Sequence, residues 1–297
     1  MKILAPLRIT DAMLVSHSVP EDDAPEWAEG TQYDIGQKVL RKSLHLVYQA
    51  KTKSTGKKPE SSPEDWHCLG ATNRWAMFDE KIGTVSTAKE EIRLTLRPGT
   101  MTSGLALVGV TADSVQVRVT DAAQSVLFER SERLTADLRE ADWWHYFFDP
   151  ISRRTSFEIF GLPAFADSAY EIILSGESGE QVACAACLLG ECMDFAPGVR
   201  PGARIGIMDY SLKKPDEWGN IEVVERAFSK TARWSFQVPG ALLDRLYDLL
   251  ASIRARPALF IGGKFAGLKV YGFYREFDIV IEYDRMVECS IDLEGLI

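Results

Sequence analysis

The chain has little of what most chemistry needs. It has four histidines in 297 residues, His17, His45, His67 and His145. None stands in an H-E-x-x-H arrangement or at another metal-ligand spacing. A Gly-rich phosphate loop is missing, since Gly262-Gly263-Lys264 lies between two strand-like runs, where a hairpin turn is the plain reading. There is no G-x-S-x-G, and no cysteine has an obvious histidine partner. No apolar run approaches the roughly 18 to 20 residues of a membrane helix, so membrane insertion is not expected. The opening MKILAPLRITDAMLVSH breaks its apolar stretch with Arg8 and Asp11, so it is not expected to be a signal peptide. Basic residues are outnumbered 34 to 43, for a net charge of −9. Binding to nucleic acid runs on phosphate neutralisation and is not expected of so acidic a chain. Its only dense basic stretch, Lys51, Lys53, Lys57 and Lys58, falls in a loop-like segment.

Paired cysteines are also lacking. Cys68, Cys184, Cys187, Cys192 and Cys289 are odd in number and scattered, unlike a secreted disulfide framework. Synthesis in a reducing interior is expected. Cys184 and Cys187 have a metal-like spacing, but QVACAACLLGEC reads as a buried strand, where an odd separation sends two side chains to opposite faces. They are expected to be core residues.

What is present is a foldable composition, 46% hydrophobic and 26% charged, in a chain long enough for two or three domains. Period-two alternation recurs: Ile92, Leu94, Leu96; Val115, Val117, Val119; SFEIF (156–160); AYEIILSG (169–176); RIGIMDYS (204–211). Phe277, Ile279, Ile281 and Tyr283 share one face of a long run (267–283), and Val287, Cys289, Ile291 and Leu293 share the inner face of another. This is the pattern of antiparallel sheets with one inner and one wet face. One amphipathic helix is predicted at about 240–255, with Leu242, Leu243, Leu246, Leu249, Leu250 and Ile253 on its apolar side and Pro257 stopping it. No βαβ alternation occurs, which argues against a doubly wound fold. The expected class is mainly β, in three domains: 1–85, 86–195 and 196–297.

Trp27, Tyr33, Gly36, Val39, Tyr48, Ala50, Pro59 and Trp66 follow one another in an order that resembles the small chitin-binding modules of carbohydrate-binding module families 5 and 12. The resemblance covers about 40 of the 297 residues and implies a compact three-stranded module in the first domain, after an N-terminal arm. Those modules carry a tandem aromatic pair after the Tyr-x-Ala strand, where this chain has Thr52 and Lys53. A pyranose ring packs on a flat aromatic face, which neither residue supplies. The run WHCLGATNRWAMFDEKIGT (66–84), PGTMTSGLALVGVTADSVQVRVTD (98–121), WWHYFFDP (143–150), GIMDYS (206–211) and the segment from Val270 to Ile297 resemble structural proteins of the tailed-bacteriophage tail tip or baseplate. That resemblance implies a virion component made in the bacterial cytoplasm, with a jelly-roll-like β-sandwich as its middle domain and a C-terminal β domain. It also implies other tail proteins as partners and three or six copies per particle.

The residues Trp27, Tyr33, Tyr48, Trp66, Trp143, Trp144 and Tyr146 are the candidate glycan or partner contacts. The alternative is that the first four form the module core and the cluster around His145 fills a sheet interior. A glycan-binding adhesin that holds host-surface sugars is therefore the second functional reading. A tail-associated glycosidase is the third, since such enzymes use two flanking carboxylates. Asp142 with Asp149, and Glu276 with Asp278, are pairs of that kind, but nothing raises one above the others. No catalytic residue, cofactor or metal is assigned, and enzymatic activity is not expected.

Overall fold

The computed structural model of the chain describes residues 1–134, 153–163, 165–215, 217–281 and 285–296. Strands dominate, most of the ladders are antiparallel, and one α-helix is present among the described residues. The N-terminal part contains β1 (Lys2–Pro6), β2 (Leu14–His17), β3 (Gln32–Tyr33), β4 (Lys38–Arg41), β5 (Leu46–Ala50), β6 (Ser54–Thr55) and β7 (Trp66–Ala71). The middle part contains β8 (Ser86–Lys89), β9 (Glu91–Leu96), β10 (Gly104–Thr111), β11 (Ser114–Thr120), β12 (Val126–Arg133), β13 (Ser156–Phe160), β14 (Ala169–Ser175) and β15 (Gln181–Asp194). The C-terminal part contains β16 (Arg204–Asp209), β17 (Leu212–Pro215), β18 (Ile221–Val224) and β19 (Phe228–Pro239), then α1 (Leu243–Ser252), β20 (Ala258–Ile261), β21 (Lys269–Val280) and β22 (Met286–Gly295).

Contacts divide the chain into two compact units where three domains were expected. One holds Met1–Leu7, Thr102–Gly104 and Leu189–Ile297; the other holds Arg8–Met101 and Leu105–Leu188. Residues 1–7, expected as an arm of the first domain, supply β1 to the unit that holds the C-terminal strands. β1 pairs with the end of β15 on one side and with β20 on the other. Ile3 and Leu4 are fully buried there. The close approach has a requirement at Gly190, where a Cβ would collide with the Ala5 carbonyl oxygen. Only glycine fits between those backbones.

In the unit with the C-terminal strands, the sheet runs from β1 through β20, β21, β22 and β19 to the edge strand β16. Val287, Cys289, Ile291 and Leu293 lie on its inner face, each at most 2% exposed. The predicted helix appears as a 3-10 turn, Gly240–Leu242, leading into α1. Leu246, Leu249, Leu250 and Ile253 bury its apolar side against Trp234, Phe236 and the β22 residues. The expected inner stripe of β21 fades along the strand. Phe277 and Ile279 pack partly on this core, while Ile281 is exposed. Tyr283 lies outside the described residues.

In the other unit, β12, β11, β14, β9 and β2 form one sheet. Ile92, Leu94, Leu96, Val115, Val117, Val119, Ile172 and Leu174 have no exposed surface there. These are the alternate residues that the period-two pattern assigns to an inner face. β13, β10 and the start of β15 are neighbours in a second sheet. β15 is buried on both faces from Cys184 to Leu188, and Gly109 faces it with φ of +64°, where a Cβ would come within 2.6 Å of the Ala185 Cβ. The module residues fold as the three-stranded sheet β4-β5-β7, with β3 paired to β6 beside it in sequence.

Candidate interaction surface

The sequence offered four aromatic residues of the module as contacts; the structure puts Tyr33, Tyr48 and Trp66 inside it and Trp27 at its rim. Tyr33, Tyr48 and Trp66 are 7, 6 and 2% exposed and form a core with Val39 and Ala50. Alternation explains this, since β5 turns Tyr48 and Ala50 to the face that Trp66 of β7 covers. Tyr33 meets Trp66 edge to face at 5.3 Å. Its hydroxyl accepts the Ala28 N–H (2.8 Å), and the Trp66 Nε1–H donates to the Lys57 carbonyl (3.1 Å). Trp27 packs on this core from its rim, under the Arg41 guanidinium. Rings buried as deeply as Tyr33, Tyr48 and Trp66 offer no open face to a sugar. At Thr52 and Lys53, where the resemblance would put an aromatic pair, the Thr52 hydroxyl donates to Asp65 (2.6 Å) and Lys53 pairs with Asp34 (3.4 Å). Trp143, Trp144 and Tyr146 lie outside the described residues, as do His145, Asp142 and Asp149.

Cys184 and Cys187 are buried, and burial raises the Cys184 thiol to about 12 and the Cys187 thiol well above its ordinary value. Cys192 and Cys289 are raised to about 11 for the same reason. With no metal ion beside them such groups stay protonated. Cys68 is exposed on β7. Among the described residues, no cluster of three or more His, Cys, Asp or Glu side chains is arranged to hold a metal ion. Among the described residues the displaced carboxylates are Asp65, Glu129, Glu132, Asp209 and Glu294, and all of these are displaced downward. Except at Glu132, where opposing burial is the largest influence, hydrogen bonds to their charged form come first. This is the electrostatics of structural ion pairs, while a general acid needs the opposite shift.

Sequence spacing gave no hint of the surroundings of His45. Its Nδ1 lies 2.9 Å from Glu21 and its Nε2 3.0 Å from Asp11, with the ring stacked on Trp75 at 4.0 Å. Glu21 also accepts the Thr72 hydroxyl (3.0 Å). Residues 34 and 24 positions upstream are thereby pinned to the end of the 3-10 turn Lys42–Leu44. The cluster ties the N-terminal segment to the module, and its side chains are used up in doing so.

The surface that stands out is apolar. β17 and β18 form a two-stranded hairpin whose register pairs Lys213 with Val223, Lys214 with Glu222 and Pro215 with Ile221. On β18, Ile221, Val223 and Val224 are 66, 58 and 46% exposed. Successive strand residues face opposite sides, so β18 shows apolar side chains on both faces. At the hairpin base Ile205 and Ile207 of β16 and Phe228 of β19 are also exposed. A two-stranded ribbon is marginal in water without a covered face, and exposed apolar side chains gathered on such a ribbon make it the candidate contact surface. The chain matches no protein-family model, and it matches no characterised protein to a significant degree.

Proposed function

We propose that this chain is a structural subunit of a tailed-phage tail tip or baseplate, acting in tail assembly through its β-sheet surfaces. The resemblance of most of residues 25–297 to such proteins suggests the setting, and one observation supports an assembly role above all others. The β16–β19 hairpin, with its β17–β18 extension, leaves Ile205, Ile207, Ile221, Val223 and Phe228 exposed. Apolar strands of that kind call for a neighbour. The partners on this reading are other tail proteins and further copies of the chain, in three or six per virion. The adhesin reading loses its main support with the module rings turned inward.

The test is the particle. Quantitative mass spectrometry and antibody-labelled electron microscopy of purified tailed virions that encode the chain should find it at the distal tail end, in three or six copies. Its absence from the particle, or a single copy per tail, overturns the proposal.

A further inference from the structure

On the β16–β19–β22–β21 part of the sheet, the face turned away from the core gathers arginines around one groove. Ala232, Trp234 and Phe236 of β19 are buried in the core, so their odd-numbered neighbours point the other way. Register sets Arg204 of β16 directly opposite Arg233 of β19, and Gly206 opposite Thr231. Arg233 in turn faces Asp292 of β22, and Arg275 stands at the irregular step of the β21–β22 ladder. Arg204, Arg233 and Arg275 line a groove of about 270 Å³, with Gly206, Thr231 and Asp292 also in its lining. Carboxylates orient two of these arginines without using up their donors. Arg233 donates to Asp292 through Nε and Nη2, and Arg275 donates to Glu294 through Nε. The Tyr210 hydroxyl also donates to Glu294 (3.0 Å). Among the described residues, the Nη1 group of Arg233 and both Nη groups of Arg275 make no hydrogen bond, and Arg204 is in no salt bridge. The Arg233 and Arg275 side chains are 65 and 56% exposed and both carboxylates only 24%, so solvent meets the guanidinium groups first. Glu276, the next acid in the row beyond Asp292, is outside the lining of this groove.

We propose that this groove is an oxyanion site that takes a phosphoryl group, held by the open donors of Arg233 and Arg275 and by Arg204. Three features carry the assignment. Arginine forks match the oxygens of a phosphoryl group, and their bonds to it are charge-assisted. Asp292 and Glu294 fix two of the forks in advance, so less side-chain freedom is lost when the anion binds. Arg204 directly opposite Arg233 is a like-charge pair, which weakens a strand ladder and which a shared anion relieves. Gly206 keeps the floor clear, because a Cβ there would stand 2.9 Å from the Thr231 Oγ1. Inorganic phosphate and a phosphate ester on a sugar offer the same chemistry to the groove. The site is independent of the tail-tip reading, since binding by the purified chain neither requires a virion nor establishes one.

The test uses the full chain carrying ¹⁵N-labelled arginine, with NMR reading the Nε–H signals, assigned by substituting each of the three arginines. Inorganic phosphate, a hexose 1-phosphate and acetate are titrated separately, with sodium chloride holding the ionic strength constant. Saturable shifts at Arg204, Arg233 and Arg275 are expected with both phosphate compounds, and the tighter of the two identifies the source of the phosphoryl group. Arg204→Gln and Arg275→Gln should each weaken binding about tenfold, as charge-assisted hydrogen bonds are lost. Gly206→Val removes no charge and suits a strand, yet it should abolish binding by filling the floor. Circular dichroism checks that each variant keeps its strands. Shifts that never saturate, an adventitious ion only, would overturn the site. So would equal affinity in the parent and all three variants, or acetate binding as tightly as phosphate.

Discussion

Trp66→Ala tests whether the module aromatics are interior. Trp66 is 2% exposed, packed on Tyr33, and bonded through Nε1–H to the Lys57 carbonyl. Truncating a buried tryptophan costs roughly 3 to 5 kcal/mol, since transfer and cavity losses add. The lost hydrogen bond contributes about 1 kcal/mol of that, with the Lys57 carbonyl left to find water. At about 1.4 kcal/mol per decade, amides opened with the module should exchange two to nearly four orders of magnitude faster. Hydrogen exchange read by mass spectrometry on β5 and β7 measures this, while β19 and β22 serve as the internal reference. Trp66→Phe keeps most of the ring and should lose only about 1 to 2 kcal/mol. Unchanged protection in the alanine variant, together with lost retention on chitin, would refute the reasoning. Trp66 would then be a binding ring and not a core residue.

The unmodified chain should pass through a chitin column unretained, and Thr52→Trp with Lys53→Trp should create measurable delay; strong retention of the unmodified chain, abolished by Tyr48→Ala without unfolding, would restore the adhesin reading. In native protein one thiol, Cys68, should react quickly with an aromatic disulfide and all five should react in denaturant; bound zinc in stoichiometric amount would show that the buried thiols ligate metal. His17 is lowered from 6.5 to about 4 by burial first and by Arg74 second, with the Val19 N–H donating to its Nδ1. The folded state therefore resists its protonation, so stability is full above pH 6.5 and falls as pH drops toward 4, by about 3 kcal/mol at most. Exchange protection of β9 should show that slope and His17→Gln should flatten it; an equal slope in the variant refutes the assignment. Gly190→Ala should cost about 1 to 3 kcal/mol or more by driving a methyl onto the Ala5 carbonyl, seen as faster exchange in β1 and β20; no change there would show that β1 is not held as described.

Local pattern was enough for the inner faces. Ile92, Leu94 and Leu96, or Val287, Cys289, Ile291 and Leu293, alternate with polar residues within a few positions, and a strand's period of two turns that spacing directly into burial. The same holds for α1, whose stripe and stop at Pro257 are written within twenty residues. The burial of Cys184 and Cys187 was legible in the same way, and Tyr48 and Ala50, two apart on β5, share one core. Long-range pairing was not legible. Nothing in KILAP says that it lies between β15 and β20, because its partners stand some 190 and 260 residues away and backbone hydrogen bonds carry no sequence code. For the same reason the boundary near residue 195 became a boundary within β15, and Asp11 and Glu21 met His45 unannounced. Ile221, Val223 and Val224 show the limit most directly. Their composition is that of a buried strand, and only the tertiary structure, by pairing β18 with β17 alone, left them uncovered.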